Sequence, residues 1–469
     1  MTEEVHVGEV RPGIWDPAHR RTTAGLLTLV TLIAFEAMAV GTAMPTAVTE
    51  LDGLAWYAWP FSAFLVASVF GMVLGGESAD RRGPRVALPL GVGTFAAGLL
   101  VSGVATHMAV MVAGRAVQGL GAGVMATLLY VIAGQAYEAG LRPRLFGAIS
   151  AAWVLPALVG PLIAGIVTSH ASWRLVFLGL LPVVVVGLLL VVSASRLPAS
   201  ASHEAPAPRS RTGWALLAGL GIVLLQYAGQ RLDAVAIAVA VVGLAALAIG
   251  LRPLLPAGTV RLRRGLPAVI GSRGLLAGGF FGMDALLPLT LTAVHGFSPT
   301  AAGLPLTAGA IGWATASQLQ GRRPDIPRER VLRLGFVLLA AGLAGTALAA
   351  VPALGGWPAY LSWAVAGLGM GLGMPSVGVL LLDQSSERDR GANSAALQIS
   401  DVTSSALCIG LAGVLIAAAA DGVLSVPAAV LITIAVLTAL ALVGVRVAGR
   451  SAAPAHRAAP ADATTLAAS

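Results

Sequence analysis

Residues 76–85 read GESADRRGPR between two long apolar stretches, and residues 147–165 read GAISAAWVLPALVGPLIAG inside another apolar stretch. The first segment concentrates glycines, acids and arginines in a very short polar connection. The second spaces small residues along a single apolar segment that also contains prolines. Small residues let helices approach closely where the surroundings are apolar. Both segments therefore indicate helices that pack against one another inside a membrane.

The composition excludes an ordinary soluble protein. Hydrophobic residues make up 57% of the 469 residues and charged residues only 11%, whereas soluble domains carry about 25% charged residues. One membrane crossing needs roughly 20 mostly apolar residues. The chain is therefore long enough for many crossings, and we predict an all-α membrane protein. Its single cysteine, Cys408, excludes an intramolecular disulfide.

The apolar stretches predict about fourteen spans, and the arginines support their arrangement. If both termini are cytoplasmic, every arginine except Arg115, Arg174 and Arg231 falls on the inner side, and Arg273 is counted there as part of an inner loop. Such an excess of basic residues is typical of cytoplasmic loops. It also explains the formal charge of +8 without nucleic-acid binding. Removing spans seven and eight together would preserve the pattern, so twelve spans remain an alternative.

The predicted organisation has two six-helix halves and two additional helices between them. Its parts are a cytoplasmic tail (1–23), the first half (24–195), a cytoplasmic linker (196–212), two additional helices (213–253), the second half (254–449) and a disordered tail (450–469).

An internal repeat supports two related halves. Gly76 and Asp80 are followed by Arg85, and residues of the same types, with the same spacing, recur at 321, 325 and 330. Internal symmetry of this kind is typical of transporters that move one half against the other.

The polar connection resembles the loop signature between the second and third helices of the major facilitator superfamily. The residues that carry the resemblance are Gly76, Asp80, Arg81, Gly83 and Arg85. The resemblance implies the fold of that superfamily and a role for this connection in holding the outward-open state. The alternative is a basic inner loop that serves topology alone.

The fourth span contains a permanent cation in the segment GRAVQGLG, residues 114–121. An arginine at this depth costs about 2.5 kcal/mol or more unless it is paired or hydrated. Arg115 and Gln118 resemble the fourth-helix motif of the superfamily, in which the arginine is thought to assist proton movement. A structural salt bridge is the alternative.

The fifth span resembles the signature helix of the superfamily's proton-coupled exporters. The matching residues are Gly147, Gly160, Pro161 and Gly165, while Pro156 and Ala164 depart from the pattern. The resemblance implies export. Ordinary packing of small residues is the alternative.

Three acids lie in apolar stretches, namely Glu36, Asp284 and Asp401. Fourteen-span drug exporters of the superfamily carry an aspartate nine residues before a comparable proline; in this chain Glu36 takes that place before Pro45. An ionisable group at membrane depth is a functional candidate, because loss of water disfavours the charged form and can couple protonation to conformation. Pairing with Arg115 or polar packing are the alternatives.

The sequence contains no phosphate-binding loop, no clustered metal ligands and no nucleophile elbow. We therefore expect neither an enzyme nor a bound cofactor or metal. The resemblance implies a proton-coupled exporter of small amphipathic molecules, cations included, that acts as a monomer in a bacterial plasma membrane. Its expected partners are the substrate, protons and membrane lipids. A proton-coupled importer and a non-transporting sensor or assembly protein are the alternatives.

The arginine distribution predicts the topology. Reporter fusions within residues 197–212 and at the C-terminal tail should both report a cytoplasmic location, whereas a fusion near His295 should report an external one. An external C-terminus would contradict the prediction.

Overall fold

The computed structural model describes residues 13–138, 140–192, 211–231, 234–323, 325–386 and 389–452. Within these ranges the chain forms α-helices and short 3-10 turns and no strand. The helices are α1 (Arg20–Glu50), α2 (Trp59–Arg82), α3 (Pro84–Gly103), α4 (Met108–Ala136), α5 (Arg142–His170), α6 (Arg174–Leu178), α7 (Leu181–Val192), α8 (Arg211–Gly229), α9 (Ala234–Leu251), α10 (Leu266–His295), α11 (Pro299–Gly321), α12 (Arg328–Thr346), α13 (Pro358–Asp383), α14 (Arg390–Ala420) and α15 (Val426–Ala448).

Thirteen helical segments of the described chain are long and apolar enough to cross a membrane. The short α6 and the following α7 together form one of them, Arg174–Val191. The helix α11 is long enough at 23 residues, but it carries serine, threonine and glutamine and is less apolar. The all-helical, membrane-spanning prediction is confirmed. The two additional helices, α8 and α9, are both among the thirteen. This favours the fourteen-span arrangement over the twelve-span alternative, which omits them.

The two halves repeat one packing pattern. In the first half α4 lies against both α2 and α3, and α1 packs on α5 and α7. In the second half α13 lies against both α11 and α12, and α10 packs on α14 and α15. The halves meet along two seams, one between α5 and α11 and the other between α2 and α14. The additional helix α8 pairs with α9 and lies on the seam between α2 and α14.

Glycines bring the fourth helix of each half into backbone contact with its second helix. A Cβ atom at Gly119 of α4 would collide with the backbone carbonyl of Phe64 on α2. A Cβ atom at Gly367 of α13 would collide with the backbone carbonyl of Gly309 on α11. Only glycine permits these approaches, so they fix the register of α4 on α2 and of α13 on α11.

The polar connection predicted at residues 76–85 is very short, and shorter than the apolar stretches suggested. The helix α2 continues through Arg82, and α3 begins at Pro84. The chain reverses at Gly83 alone, whose φ of 74° is a conformation that glycine adopts readily. Because one residue suffices, the acids and arginines belong to helix ends.

The role predicted for this connection stays a prediction. The side chains of Asp80, Arg82 and Arg85 lie outside the described residues. The second copy of the repeat also differs in shape, because α11 ends at Gly321 and α12 begins only at Arg328.

The predicted linker and the predicted C-terminal tail lie mostly outside the described residues. Residues 193–210, which include most of the predicted linker, and the tail from 453 onward lie outside them. Residues 211 and 212, assigned to the linker, begin α8. The assignment of Arg273 to a loop was wrong, since it lies inside α10.

The halves are in direct contact at one end of the bundle. We call the end at which α1 begins and α15 ends the terminal end, and the other the opposite end. At the opposite end the hydroxyl groups of Ser169 and Thr300 lie 3.1 Å apart. A Cβ atom at Gly165 would lie 2.6 Å from the Cα atom of Thr300. Near the terminal end, no described atom lies within 4 Å of a Cβ atom placed at Gly147 or Gly391. The seam between α5 and α11 is therefore closed at the opposite end.

This closure predicts a disulfide trap. The double variant Ser169→Cys with Thr300→Cys should form an intramolecular disulfide under mild oxidation, because the two side-chain oxygens already lie within contact distance. The crosslink should be measured by gel shift after protease cleavage between the halves. The matched control, Ser169→Cys with Ser425→Cys at the start of α15, should stay reduced. Absence of the Ser169–Thr300 crosslink under all conditions would contradict the closed arrangement.

Candidate functional site

Glu36 and Arg115 form an ion pair inside the first half. Glu36 lies near the middle of α1 and is 1% exposed, and Arg115 lies on α4 and is 3% exposed. Burial of two charges is tolerable only when they are paired and their remaining donors are bonded. The pairing that the sequence left open as an alternative is therefore present.

Arg115 has further partners, all within the first half. It donates to the side-chain oxygen of Gln118 over 2.8 Å and to the backbone carbonyl of Pro60 over 3.3 Å. Its guanidinium group also lies over the ring of Phe64, 4.3 Å from the ring centre. An arginine in such a position gains both hydrogen bonds and a cation–π contact. The predicted companions Arg115 and Gln118 are thus brought together.

Asp284 lies on α10 in the second half and has a different kind of partner. The indole nitrogen of Trp363 on α13 donates to its carboxylate over 3.1 Å. No arginine of the described chain forms an ion pair with it. The hydroxyl of Tyr57 donates to the adjacent backbone carbonyl of Ala285 over 2.6 Å, which ties the start of α2 to α10. Asp284 therefore lies close to the junction of the two halves.

Aromatic rings surround the Asp284–Trp363 contact. Phe280 stacks on Trp363 with ring centres 4.7 Å apart, and Trp313 meets Phe280 edge-on at 5.6 Å. Phe281 lies against Trp313. The faces of such rings attract cations. A carboxylate beside this aromatic cluster is suited to an organic cation.

The two acids occupy equivalent places in the repeat. Asp284 follows Glu36 by the same number of residues as Trp363 follows Arg115. Gly367 follows Gly119 at this same sequence separation. In each half, an acid of the first helix thus bonds to a side chain of the fourth helix. That side chain, Arg115 or Trp363, lies one turn before the glycine that packs on the second helix. Sequence reasoning missed Trp363. Its place in the glycine register is the signal that would have found it.

Asp401 is paired with the arginine that had been assigned to a loop. Two guanidinium nitrogens of Arg273 on α10 each lie 2.6 Å from one carboxylate oxygen of Asp401 on α14. This pair links two helices of the second half and is separate from the Asp284 contact.

The residues of the fifth-span signature take three different positions on α5. Gly160 faces α1, and a Cβ atom there would lie 3.3 Å from that of Met38. Gly165 packs on α11 at the closed end, while Gly147 faces open space at the other. Pro156 and Pro161 lie within α5 without ending it.

Known proteins resemble this chain along most of its length. A family model described as the Major Facilitator Superfamily matches residues 26–286 and 269–468. The multidrug transporter protein MdtP of Bacillus subtilis is 26% identical over 397 residues, which cover 80% of this chain and 71% of MdtP. The probable multidrug-efflux transporter Rv1634 of Mycobacterium tuberculosis is 27% identical over 409 residues, which cover 81% of this chain and 84% of the relative.

A solved structure agrees with the architecture. The crystal structure of a POT family transporter in complex with a thioalcohol-conjugated peptide superposes with a TM-score of 0.69 at 13% identity, covering 94% of this chain and 99% of that one. At this identity the likeness concerns the fold alone. Together with the family match, it shows a multi-pass membrane transporter and not an enzyme. The chain belongs to the Major Facilitator Superfamily.

Proposed function

We propose that this chain is a proton-coupled exporter of small amphipathic molecules, in particular organic cations. Relatives named as multidrug transporters support export. The observation that carries the proposal is the distribution of charge among the three acids. Glu36 and Asp401 each have an arginine partner, whereas among the described residues Asp284 has only an indole N–H. Asp284 is therefore the carboxylate whose charge remains to be balanced by a proton or by a substrate.

The direction of loading follows from the closed end and the predicted topology. With both termini in the cytoplasm of a bacterium, the terminal end faces inward. The contact between Gly165 and Thr300 then closes the external side. A state closed outside and accessible inside is the state in which an exporter collects its cargo, and Gly165 belongs to the exporter signature.

Competition at Asp284 would couple the two movements. In the inward state the ionised carboxylate binds a cation, and the half-buried ring of Trp313 lies beside its apolar part. In the outward state a proton takes the place of the cation and releases it. The proton leaves again on the inner side, which restores the affinity for cargo. Trp363 donates to the same carboxylate and positions it in this cycle.

The Glu36–Arg115 pair has a complementary role in this proposal. Both charges stay inside the first half, where Pro60 and Phe64 of α2 hold the guanidinium group. Protonation of Glu36 would leave the positive charge of Arg115 without its counter-charge. It would thereby alter the contacts of Arg115 with α2, a helix of the seam between α2 and α14. The mechanism uses residues of one chain, and we propose that the protein acts as a monomer.

The coupling prediction concerns Asp284→Asn. The amide can still accept the hydrogen bond from Trp363, so the protein should fold and insert, but it can no longer exchange a proton. In proteoliposomes that contain a pH-sensitive dye, ethidium should release protons from the wild type and none from Asp284→Asn. Asp421→Asn, the same change at an exposed helix end, should behave as wild type. Full proton-coupled transport by Asp284→Asn would contradict the proposal.

A second prediction concerns the ion pair. Glu36→Gln alone should lower the free energy of unfolding by about 3–5 kcal/mol, because it leaves a buried charge without its partner. Arg115→Gln alone should have a similar effect. The double variant should regain most of the stability in a thermal melt and yet remain uncoupled in the dye assay. Additive losses would show that the two residues do not depend on each other.

A further inference from the structure

A cavity of about 700 Å³ lies at the opposite end of the bundle, between the last turns of α1 and of α10. Thr49, Asp52 and Ala293 line it and are exposed, so the cavity is in contact with solvent. Leu289 of α10 also lines it and is only 4% exposed. The cavity therefore reaches from the surface into the protein, between a helix of the first half and a helix of the second.

Asp284 lies just beyond this cavity along α10. From the opposite end inward, α10 carries Leu289, then Ala285 and then Asp284, so little more than one helical turn separates the cavity wall from the acid. The connection after α1 follows the same order, because Ala55 lines the cavity and Tyr57 comes shortly after it. The hydroxyl of Tyr57, a residue 2% exposed, donates to the carbonyl of Ala285 over 2.6 Å. This hydrogen bond therefore lies between the cavity and Asp284.

The surroundings of this hydrogen bond are apolar and join the two halves. Ala58 of the first half packs with Ala285 and Ile409 of the second half, and all three are buried. A Cβ atom at Gly413 of α14 would collide with that of Ala58, so the halves are in close contact here. Apolar side chains thus exclude water around the buried hydroxyl of Tyr57. The bond to Ala285 has to break whenever the halves separate at this place.

We propose that Tyr57 is the gate between this cavity and Asp284, and that the cavity is the path by which external protons reach the carboxylate. The inference rests on the proposed function, which places the cavity outside the cell and the proton on Asp284. When the bond to Ala285 breaks, the hydroxyl of Tyr57 needs water as its new partner. That water arrives beside Asp284, where a hydronium ion gives its proton to the carboxylate and leaves as water. Opening of the gate thus delivers the proton.

The gate is tested by reagent access from outside intact cells. All proteins carry Cys408→Ala, which removes the native thiol, and the reagent is a permanently charged methanethiosulfonate that does not cross membranes. With Asp284→Cys as the probe, Tyr57→Phe should raise the labelling rate by about fivefold, the effect of losing one hydrogen bond that holds the gate closed. The matched control is Tyr137→Phe, because the Tyr137 hydroxyl shares a hydrogen bond of 2.7 Å with Thr23 inside the first half. It should leave the labelling rate unchanged.

Two further variants keep the outcome clear. Ala293→Cys lies in the cavity wall outside the gate, and it should react rapidly whether residue 57 is tyrosine or phenylalanine. Gly413→Ala should also raise the labelling of Asp284→Cys, because its added methyl group would press on Ala58 and force the halves apart. An unchanged rate in a normally expressed Tyr57→Phe protein overturns the proposal, as does slow labelling of Ala293→Cys. If Tyr57→Phe is poorly expressed, Gly413→Ala decides in the same way.

Proton movement distinguishes this inference from the proposed function. In proteoliposomes that contain the pH-sensitive dye, Tyr57→Phe with Asp284 intact should admit protons without ethidium several times faster than wild type. Adding Asp284→Asn should stop this leak. Faster labelling without a leak supports the gate and contradicts the role of Asp284 as the proton acceptor, on which the proposed function depends. A leak without faster labelling overturns the gate.

Discussion

Backbone contact between helices is the constraint on which the rest of this structure depends. Lipid is as apolar as a helix surface, so helices in a membrane associate through close packing and not through exclusion of water. Gly119 on α4 and Gly367 on α13 permit such contact with the second helix of their half. The residues one turn earlier, Arg115 and Trp363, then reach the acid on the first helix. The packing glycines thus position both polar contacts.

The two halves use one geometry with different charges, and the proposed coupling depends on this difference. A pair of opposite charges, as in the first half, is neutral as a unit while both members stay ionised. A carboxylate bonded to an indole, as in the second half, keeps its own charge. Such a group can exchange a proton for a cation without first breaking an ion pair. In the proposed mechanism, one arrangement thus provides a paired acid in the first half and an exchangeable acid in the second.

The sequence was sufficient for the charged residues and insufficient for their neutral partners. Glu36 and Arg115 are conspicuous because ionised groups are rare in apolar stretches, whereas a tryptophan such as Trp363 is largely apolar and does not stand out there. Helix ends were harder to place. The apolar pattern begins at 274, but α10 begins at Leu266, because its first turns contain residues of mixed polarity. Arg273 was therefore assigned to a loop, and its pairing with Asp401 could not be foreseen.

The additional helices make the two seams of the molecule unequal. The seam between α5 and α11 is closed by direct contact of the halves at Gly165 and Thr300, whereas α8 lies on the seam between α2 and α14. The hydrogen bonds at both ends of α8 go to the first half, at Glu77 and Ala55, and its contact with Val414 of α14 is apolar. Apolar surfaces slide more readily than hydrogen-bonded ones separate. When the halves rock, α8 should therefore travel with α2 and slide along α14.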